Sequence, residues 1–194
     1  MRSLLFAPLL AAALAPLPTL ATEPQDAFWS RLRSLCGQAF AGRVVDPQPQ
    51  DAAFAAEALV MQVRDCGEGE IRIPFQVGAN RSRTWVLTRT PEGLRLKHEH
   101  RHPDGSEDRV TQYGGDTRGA GSATAQAFHA DAHTAELIPA AASNVWSVEV
   151  DGAHFVYRLQ RPGTPPRRFE ARAHQPCGAR GHRGLGARQH GAIE

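Results

Sequence analysis

The chain has 194 residues, with 22 lysines and arginines against 20 aspartates and glutamates, and its formal net charge is +2. Arg2 and the residues from 171 onward contribute +4 of that charge, so residues 22–170 carry −2. Nucleic acid is therefore not an expected partner, because binding to phosphates needs clustered Lys and Arg, and the only lysine is Lys97.

The first 21 residues are typical of a secretory signal peptide. Arg2 precedes an apolar run over residues 4–14, and the small residue Ala21 ends the segment. The apolar run is shorter than the roughly 20 residues that a membrane helix needs. We therefore expect cleavage after Ala21, a periplasmic or secreted protein, and no integral membrane segment in the mature chain.

The remaining chain divides into a domain and a tail. Residues 22–175 have the usual length of one domain with its own core, and we predict a single β-rich domain there. Residues 176–194 are rich in Gly, Arg and His and have little to bury, which predicts a disordered tail.

The cysteines of an exported chain meet an oxidising compartment, where they tend to pair. Cys36 and Cys66 lie within the predicted domain, whereas Cys177 lies in the tail. Neither a CxxC motif nor a Cys/His spacing typical of a metal site is present. We predict a Cys36–Cys66 disulfide, which would be worth about 3 to 4 kcal/mol for a loop of roughly 30 residues.

In chain order, the first predicted element is a helix over residues 24–40, where apolar side chains recur at helical spacing. The period then changes to two, which predicts strands, and turn-forming residues separate the alternating runs. About nine strands are predicted, over residues 43–45, 59–64, 71–77, 84–88, 94–102, 106–110, 145–150, 154–160 and 168–172.

Repeated hairpins with one N-terminal helix favour an antiparallel up-and-down β-barrel of lipocalin-like shape, and a β-sandwich is the second choice. Pro74 lies inside the predicted strand 71–77, which indicates an edge or a bulge there. Residues 114–142 are rich in Gly and Ala and show little strand pattern. We expect them to form a long excursion from the sheet, with a short helix over residues 132–138.

A run of histidines gives one strand a special inner face. Residues 94 and 96 are leucines and share a face with His98, His100 and His102, since alternate side chains of a strand point the same way. The following Pro-Asp-Gly predicts a tight hairpin with Gly105 in the left-handed region.

The hairpin predicts a register for the next strand. Arg101 would face Glu107 on the solvent side, where cross-strand charges alternate in sign. On the inner face, His100 would lie opposite Asp108 and His98 opposite Val110.

The inner face of this hairpin admits three interpretations. His98, His100 and Asp108 could bind a divalent metal, because imidazole and carboxylate groups are common metal ligands. They could instead contact the polar head of a ligand, with Trp85 lining the pocket, or form a hydrogen-bonded rim with Trp85 in the core. Apart from such a metal, the sequence implies no cofactor.

Other motifs carry less chemistry. The segment 81–83, Arg-Ser-Arg, fits either a small anion-binding spot at a strand entrance or solvent-facing residues. His129 and His133 stand four apart without the glutamate of a zinc-protease motif, so a solvated role is the simpler interpretation. The GxSxG nucleophile motif is absent, and the sequence assigns no reaction.

Three segments, residues 28–45, 71–90 and 96–117, resemble a family of uncharacterised secreted bacterial proteins. The resemblance runs from about residue 26 to 172 and excludes the tail. The family pattern has proline at the position of His129, which argues against a metal role for that residue. The resemblance implies export but no activity, ligand or cofactor.

Three functions remain open from the sequence. The first is an exported barrel that binds a small, partly apolar ligand in its interior. The second is a metal-binding protein or metal-dependent enzyme that uses His98 and His100 with Asp108. The third is a structural or envelope-interaction protein, and the sequence leaves the oligomeric state open.

Overall fold

The computed structural model describes residues 23–152 and 154–173. The predicted signal peptide, Cys177 and the predicted tail lie outside the described residues. Of the helices in the part of the chain that is described, none is both long enough and apolar enough to cross a bilayer.

Eleven strands and three α-helices make up most of the described chain. The helices are α1 (Glu23–Ser34), α2 (Ala52–Ala55) and α3 (Ala132–Leu137), and short 3-10 turns precede α2 and follow α3. The strands are β1 (Ala39–Val45), β2 (Leu59–Gln62), β3 (Arg64–Cys66), β4 (Glu70–Val77), β5 (Asn80–Thr90), β6 (Gly93–His100), β7 (Tyr113–Thr117), β8 (Ala125–Ala130), β9 (Val145–Asp151), β10 (His154–Gln160) and β11 (Arg167–Ala173).

The strands form a closed barrel, which confirms the predicted up-and-down architecture over the sandwich. From β4 onward each strand pairs antiparallel with the next along the chain, and β11 pairs with β1. β1 then pairs with β2, and β2 pairs with β4 and closes a barrel of ten strands. β3 continues the line of β2 along β4.

The alternation of side chains sets the composition of the barrel interior. Buried apolar residues alternate along several of the strands, as with Leu94 and Leu96 on β6 or Trp146, Val148 and Val150 on β9. Because the strands alternate in direction, the turns β5–β6, β7–β8 and β9–β10 lie at one end of the barrel. The opposite end carries α2, α3 and the loop between β10 and β11.

Helix α1 covers the first of these ends, which is called the helix end below. Phe28, Trp29 and Leu32 are buried in the common core. The Gln25 side chain donates to Thr117 Oγ1 and to the Gly119 carbonyl, each at 3.1 Å, next to the β7–β8 turn. The apolar stripe predicted from the sequence is therefore the face that seals the barrel.

The predicted end of the helix was wrong by six residues. α1 ends at Ser34, and Phe40 belongs to β1. Gly37 has a φ of 85°, a left-handed conformation that ends helices, and its N–H donates to the Val63 carbonyl at 2.8 Å. The apolar positions beyond the turn continue the helical spacing only by coincidence.

Cys36 and Cys66 form the predicted disulfide, with their Cα atoms 6.2 Å apart. The bond joins the loop after α1 to the end of β3. It therefore attaches α1 covalently to the strands that close the barrel.

The predicted excursion over residues 114–142 was wrong in its first half, because β7 and β8 are barrel strands. A Cβ at Gly114 would lie 2.0 Å from the Leu96 carbonyl oxygen, and one at Gly115 would lie 1.6 Å from that of His129. Only glycine permits this close packing of strands. The short predicted helix is α3, which begins after Asp131, whose Oδ1 accepts the Thr134 N–H at 2.9 Å.

Pro74 lies where the strand pairing of β4 changes partner. One edge of β4 is paired with two strands in turn. β2 pairs with it as far as Phe75, and β3 pairs with it from Arg72. Pro74 therefore lies near the break between β2 and β3, but β4 is not an edge strand, because it also pairs with β5.

Candidate functional site

The end of the barrel opposite α1, called the mouth below, contains a cavity of about 270 Å³. Its walls come from strands β4, β5, β6, β7, β9 and β10. Its rim comes from α2, from the turn after α3, from the β10–β11 loop and from the start of β11. A smaller apolar cavity of about 60 Å³ shares five of its lining residues: Phe54, Phe75, Trp85, Tyr157 and Arg167.

His98 forms part of the cavity floor with both ring nitrogens engaged. Nδ1 lies 3.1 Å from the Tyr113 carbonyl oxygen, and Nε2 lies 2.7 Å from the Tyr157 hydroxyl. A carbonyl oxygen can only accept, so Nδ1 carries the proton and Nε2 accepts from Tyr157. The ring is 5% exposed and stacks on Tyr113 at 4.6 Å between centroids.

The surroundings of His98 keep it neutral. Burial lowers its pKa to about 3, the Tyr113 carbonyl opposes this shift, and the nearby His100 and Lys97 add to it. Burial also raises the pKa of Tyr157 well above its ordinary value. Both groups therefore keep one protonation state through the neutral pH range.

Trp85 forms the aromatic wall together with the rings around it. It lies between Phe75, at 4.7 Å, and Tyr157, at 4.5 Å, and both rings are nearly parallel to it. Trp146 adds a further ring beside His98 at 5.3 Å. These stacked rings form an aromatic lining, and such linings are typical of sites that bind apolar groups.

His100 lies nearer the rim than His98 and is half-buried. Its Nε2 lies 3.2 Å from the Tyr113 hydroxyl. Burial lowers the pKa of His100, and the positive charge of Arg83 lowers it further, although Asp108 opposes both effects. Neutral His100 and Tyr113 together offer one hydrogen-bond donor and one acceptor at the side of the cavity.

Three arginines complete the rim: Arg83 on β5, Arg161 after β10 and Arg167 at the start of β11. The Arg161 Nε donates to Asn144 Oδ1 at 2.8 Å, and Arg167 is ion-paired with Asp51. Among the described residues, no aspartate or glutamate lines this cavity.

Comparison with known proteins assigns no family to this geometry. No family model, curated protein or solved structure matches this chain. The function is therefore inferred from the residues of the cavity alone.

Three of the four predicted ligand-site residues lie together. His98, His100 and Trp85 all line the cavity at the mouth. Asp108 does not line this cavity and lies in an outer surface groove beside His102. Its Oδ1 accepts the Val110 N–H at 2.8 Å.

The predicted hairpin register is confirmed only near the turn. Arg101 pairs with Glu107, and Gly105 has a φ of 86°. Beyond Asp108 the chain leaves the ladder, because Thr111 Oγ1 accepts the His100 N–H at 2.9 Å and Gln112 adopts a φ of 58°.

The pairing resumes with Tyr113 opposite His98, so the predicted partner Val110 was wrong. The same register predicted Arg109 opposite Glu99 on the outer face, which is wrong as well. Glu99 is buried in ion pairs with Arg72 and Arg101 rather than paired with a residue of the next strand.

The predicted metal set is not assembled. His98 has no free ring nitrogen, and Asp108 lies outside the cavity. Within residues 23–152 and 154–173 there is no group of three His, Cys, Asp or Glu side chains placed to hold a metal ion.

The sequence interpretation missed Tyr113, Arg161 and Arg167, and it left Arg83 undecided. A signal was present for the three arginines, and Arg167 shows it by sharing the inward side of β11 with Phe169. Arg83 and Arg161 continue the alternation of inward positions set by Trp85 on β5 and by Leu159 on β10. Tyr113 carried no such signal, because its strand consists largely of glycine and polar residues.

Proposed function

We propose that this chain is an exported β-barrel protein that binds a small, partly apolar ligand in the mouth of the barrel. The observation that carries the proposal is the cavity of about 270 Å³, with aromatic walls and a few converging polar groups. Ligand sites in proteins have this composition, and the mouth of a barrel is a common place for them. Export rests on the predicted signal peptide, and the disulfide supports it.

The size of the cavity favours a compact ligand. Typical ligand pockets measure about 300 to 1,000 Å³, so this cavity lies at the lower end of that range. The helix end of the barrel is covered by α1, whose apolar side chains belong to the buried core, and this arrangement favours a short ligand over a long chain. A ligand of one or a few fused rings would fill the space between Trp85 and the rim.

The proposal is tested by blocking the mouth. Ile138 lies at the rim, and Ile138→Trp would place an indole in the cavity. Val110→Trp is the matched control, because Val110 is exposed and lies outside this cavity. Calorimetric titration of the mature chain uses two small aromatic probes, a naphthalene carboxylate and its carboxamide.

We expect one-to-one binding of at least one probe to the wild-type protein and to Val110→Trp, and loss of that binding in Ile138→Trp. Absence of binding of both probes to the wild-type protein, or equal binding to Ile138→Trp, would overturn the proposal. A structural role for the barrel would then be the better account.

A further inference from the structure

The interior of the barrel changes from apolar to cationic along its axis. On the inward side of β5, Leu87 lies nearest the helix end, followed by Trp85 and then by Arg83 at the mouth. Phe169 and Arg167 share the inward side of β11. These columns of side chains end at the mouth in guanidinium groups. A cavity with such a rim and without a lining carboxylate attracts anions rather than cations.

The three arginines differ in how their charge is compensated. Arg167 forms an ion pair with the buried carboxylate of Asp51. Arg161 is held by the neutral amide of Asn144, which leaves its charge without a counter-ion among the described residues. Arg83 lies over the ring of Phe54 at 5.2 Å, a contact that orients the guanidinium but supplies no hydrogen-bond acceptor.

One nitrogen of Arg83 lacks an acceptor in the described part of the chain. Its Nη1 is buried and makes no hydrogen bond with any of the described residues. A buried donor of a charged group that lacks an acceptor is costly, and such groups in folded proteins call for a partner. A ligand carboxylate would supply the missing acceptor, since planar carboxylate and guanidinium groups match in two parallel hydrogen bonds.

We propose that the cavity binds a small aromatic carboxylate, with its carboxylate group on Arg83 and Arg161 and its ring against the aromatic wall. This inference rests on the proposed function and specifies its ligand class. His100 is the cross-strand partner of Arg83, and it and the Tyr113 hydroxyl offer further hydrogen bonds to the carboxylate.

The test compares two probes of the same shape that differ in charge, a naphthalene carboxylate and the corresponding carboxamide. Calorimetric titration measures the affinity of each for the wild-type mature chain. We expect the carboxylate to bind about ten- to hundred-fold more tightly, because hydrogen bonds to charged partners are the stronger class.

Variants at the rim show whether Arg83 binds the carboxylate group of the probe. Arg83→Gln is expected to lower carboxylate affinity about ten-fold and to leave carboxamide affinity unchanged. Arg83→Lys should recover part of the loss, since it keeps the charge but not the planar fork. Arg81→Gln is the matched control: it removes the same charge from an exposed position two residues away and should change neither affinity.

The outcomes separate the two proposals. Equal affinity for the two probes, or an equal effect of Arg83→Gln and Arg81→Gln, would overturn the anionic ligand class and leave ligand binding itself intact. Absence of binding of both probes would overturn the proposed function as well.

Discussion

The helix end of the barrel is filled by apolar side chains and cross-linked by a disulfide, whereas the mouth keeps a cavity lined by aromatic rings and arginines. Both ends are lined by inward-facing side chains, and the same strands supply them. Burial of apolar groups at one end supplies stability, and the polar groups kept at the other end supply binding chemistry. Substitutions at the two ends should therefore affect different properties.

The largest expected effect on stability is at the helix end. Phe28 is fully buried, and Phe28→Ala should lower the free energy of unfolding by about 3 to 5 kcal/mol through lost burial and the cavity left behind. Urea denaturation measures this loss. The affinity of the folded variant for the naphthalene carboxylate should stay within two-fold of wild type.

The control for this substitution is Ile138→Ala at the rim, which removes a half-buried side chain. It should cost less stability than Phe28→Ala and change probe binding more. The opposite pattern, with binding lost in Phe28→Ala and retained in Ile138→Ala, would remove the division between the two ends.

The disulfide should have the next largest effect. Replacement of both Cys36 and Cys66 by alanine releases a cross-link over 30 residues of chain, for an expected loss of about 3 to 4 kcal/mol. Urea denaturation measures the loss, and treatment of the wild-type protein with a reductant should reproduce it. A double variant as stable as wild type would show that closure of the barrel does not depend on this bond.

The pH dependence of stability tests whether the mouth keeps His98 neutral. The folded protein holds His98 at a pKa of about 3, whereas in the unfolded chain an ordinary value near 6.5 applies. The unfolded chain therefore binds a proton between these values and the folded chain does not. The stability associated with neutral His98 is complete above pH 6.5 and is lost as the pH falls toward 3.

Between pH 7 and pH 5 the wild-type protein should lose about 2 kcal/mol more stability than His98→Gln, which cannot titrate. Urea denaturation at both pH values measures the difference. His133→Gln is the control, because His133 is exposed on α3, and it should lose as much as wild type. Equal losses in all three proteins would mean that His98 is not held neutral by its surroundings.

The fold could be predicted from the sequence wherever apolar alternation was strong. The strands around Ile71, Trp85 and Leu96 alternate strictly, and the helical stripe of Phe28 and Leu32 identified α1. β7 could not be detected, because Gly114 and Gly115 have no side chains with which to mark a face. Their role depends on the close approach of neighbouring strands, which a single sequence does not contain.

The alternation of side chains also predicted part of the candidate site. His98 and His100 share the inward face with Leu96, so alternation alone placed them in the barrel. Tyr113, rather than the predicted Asp108, lies beside these rings, because the chain after Asp108 leaves the strand pairing with β6. That departure depends on hydrogen bonds of single side chains. The rim arginines required knowledge of which end of the barrel stays open.

The three tryptophans offer the most direct test, because Trp29 lies at the helix end while Trp85 and Trp146 line the cavity. Nuclear magnetic resonance of the indole N–H groups would follow a titration with the naphthalene carboxylate. Shifts of the Trp85 and Trp146 signals at a constant Trp29 signal are the result expected for binding in the mouth. No shift of any indole signal, or a shift of the Trp29 signal alone, would contradict this account.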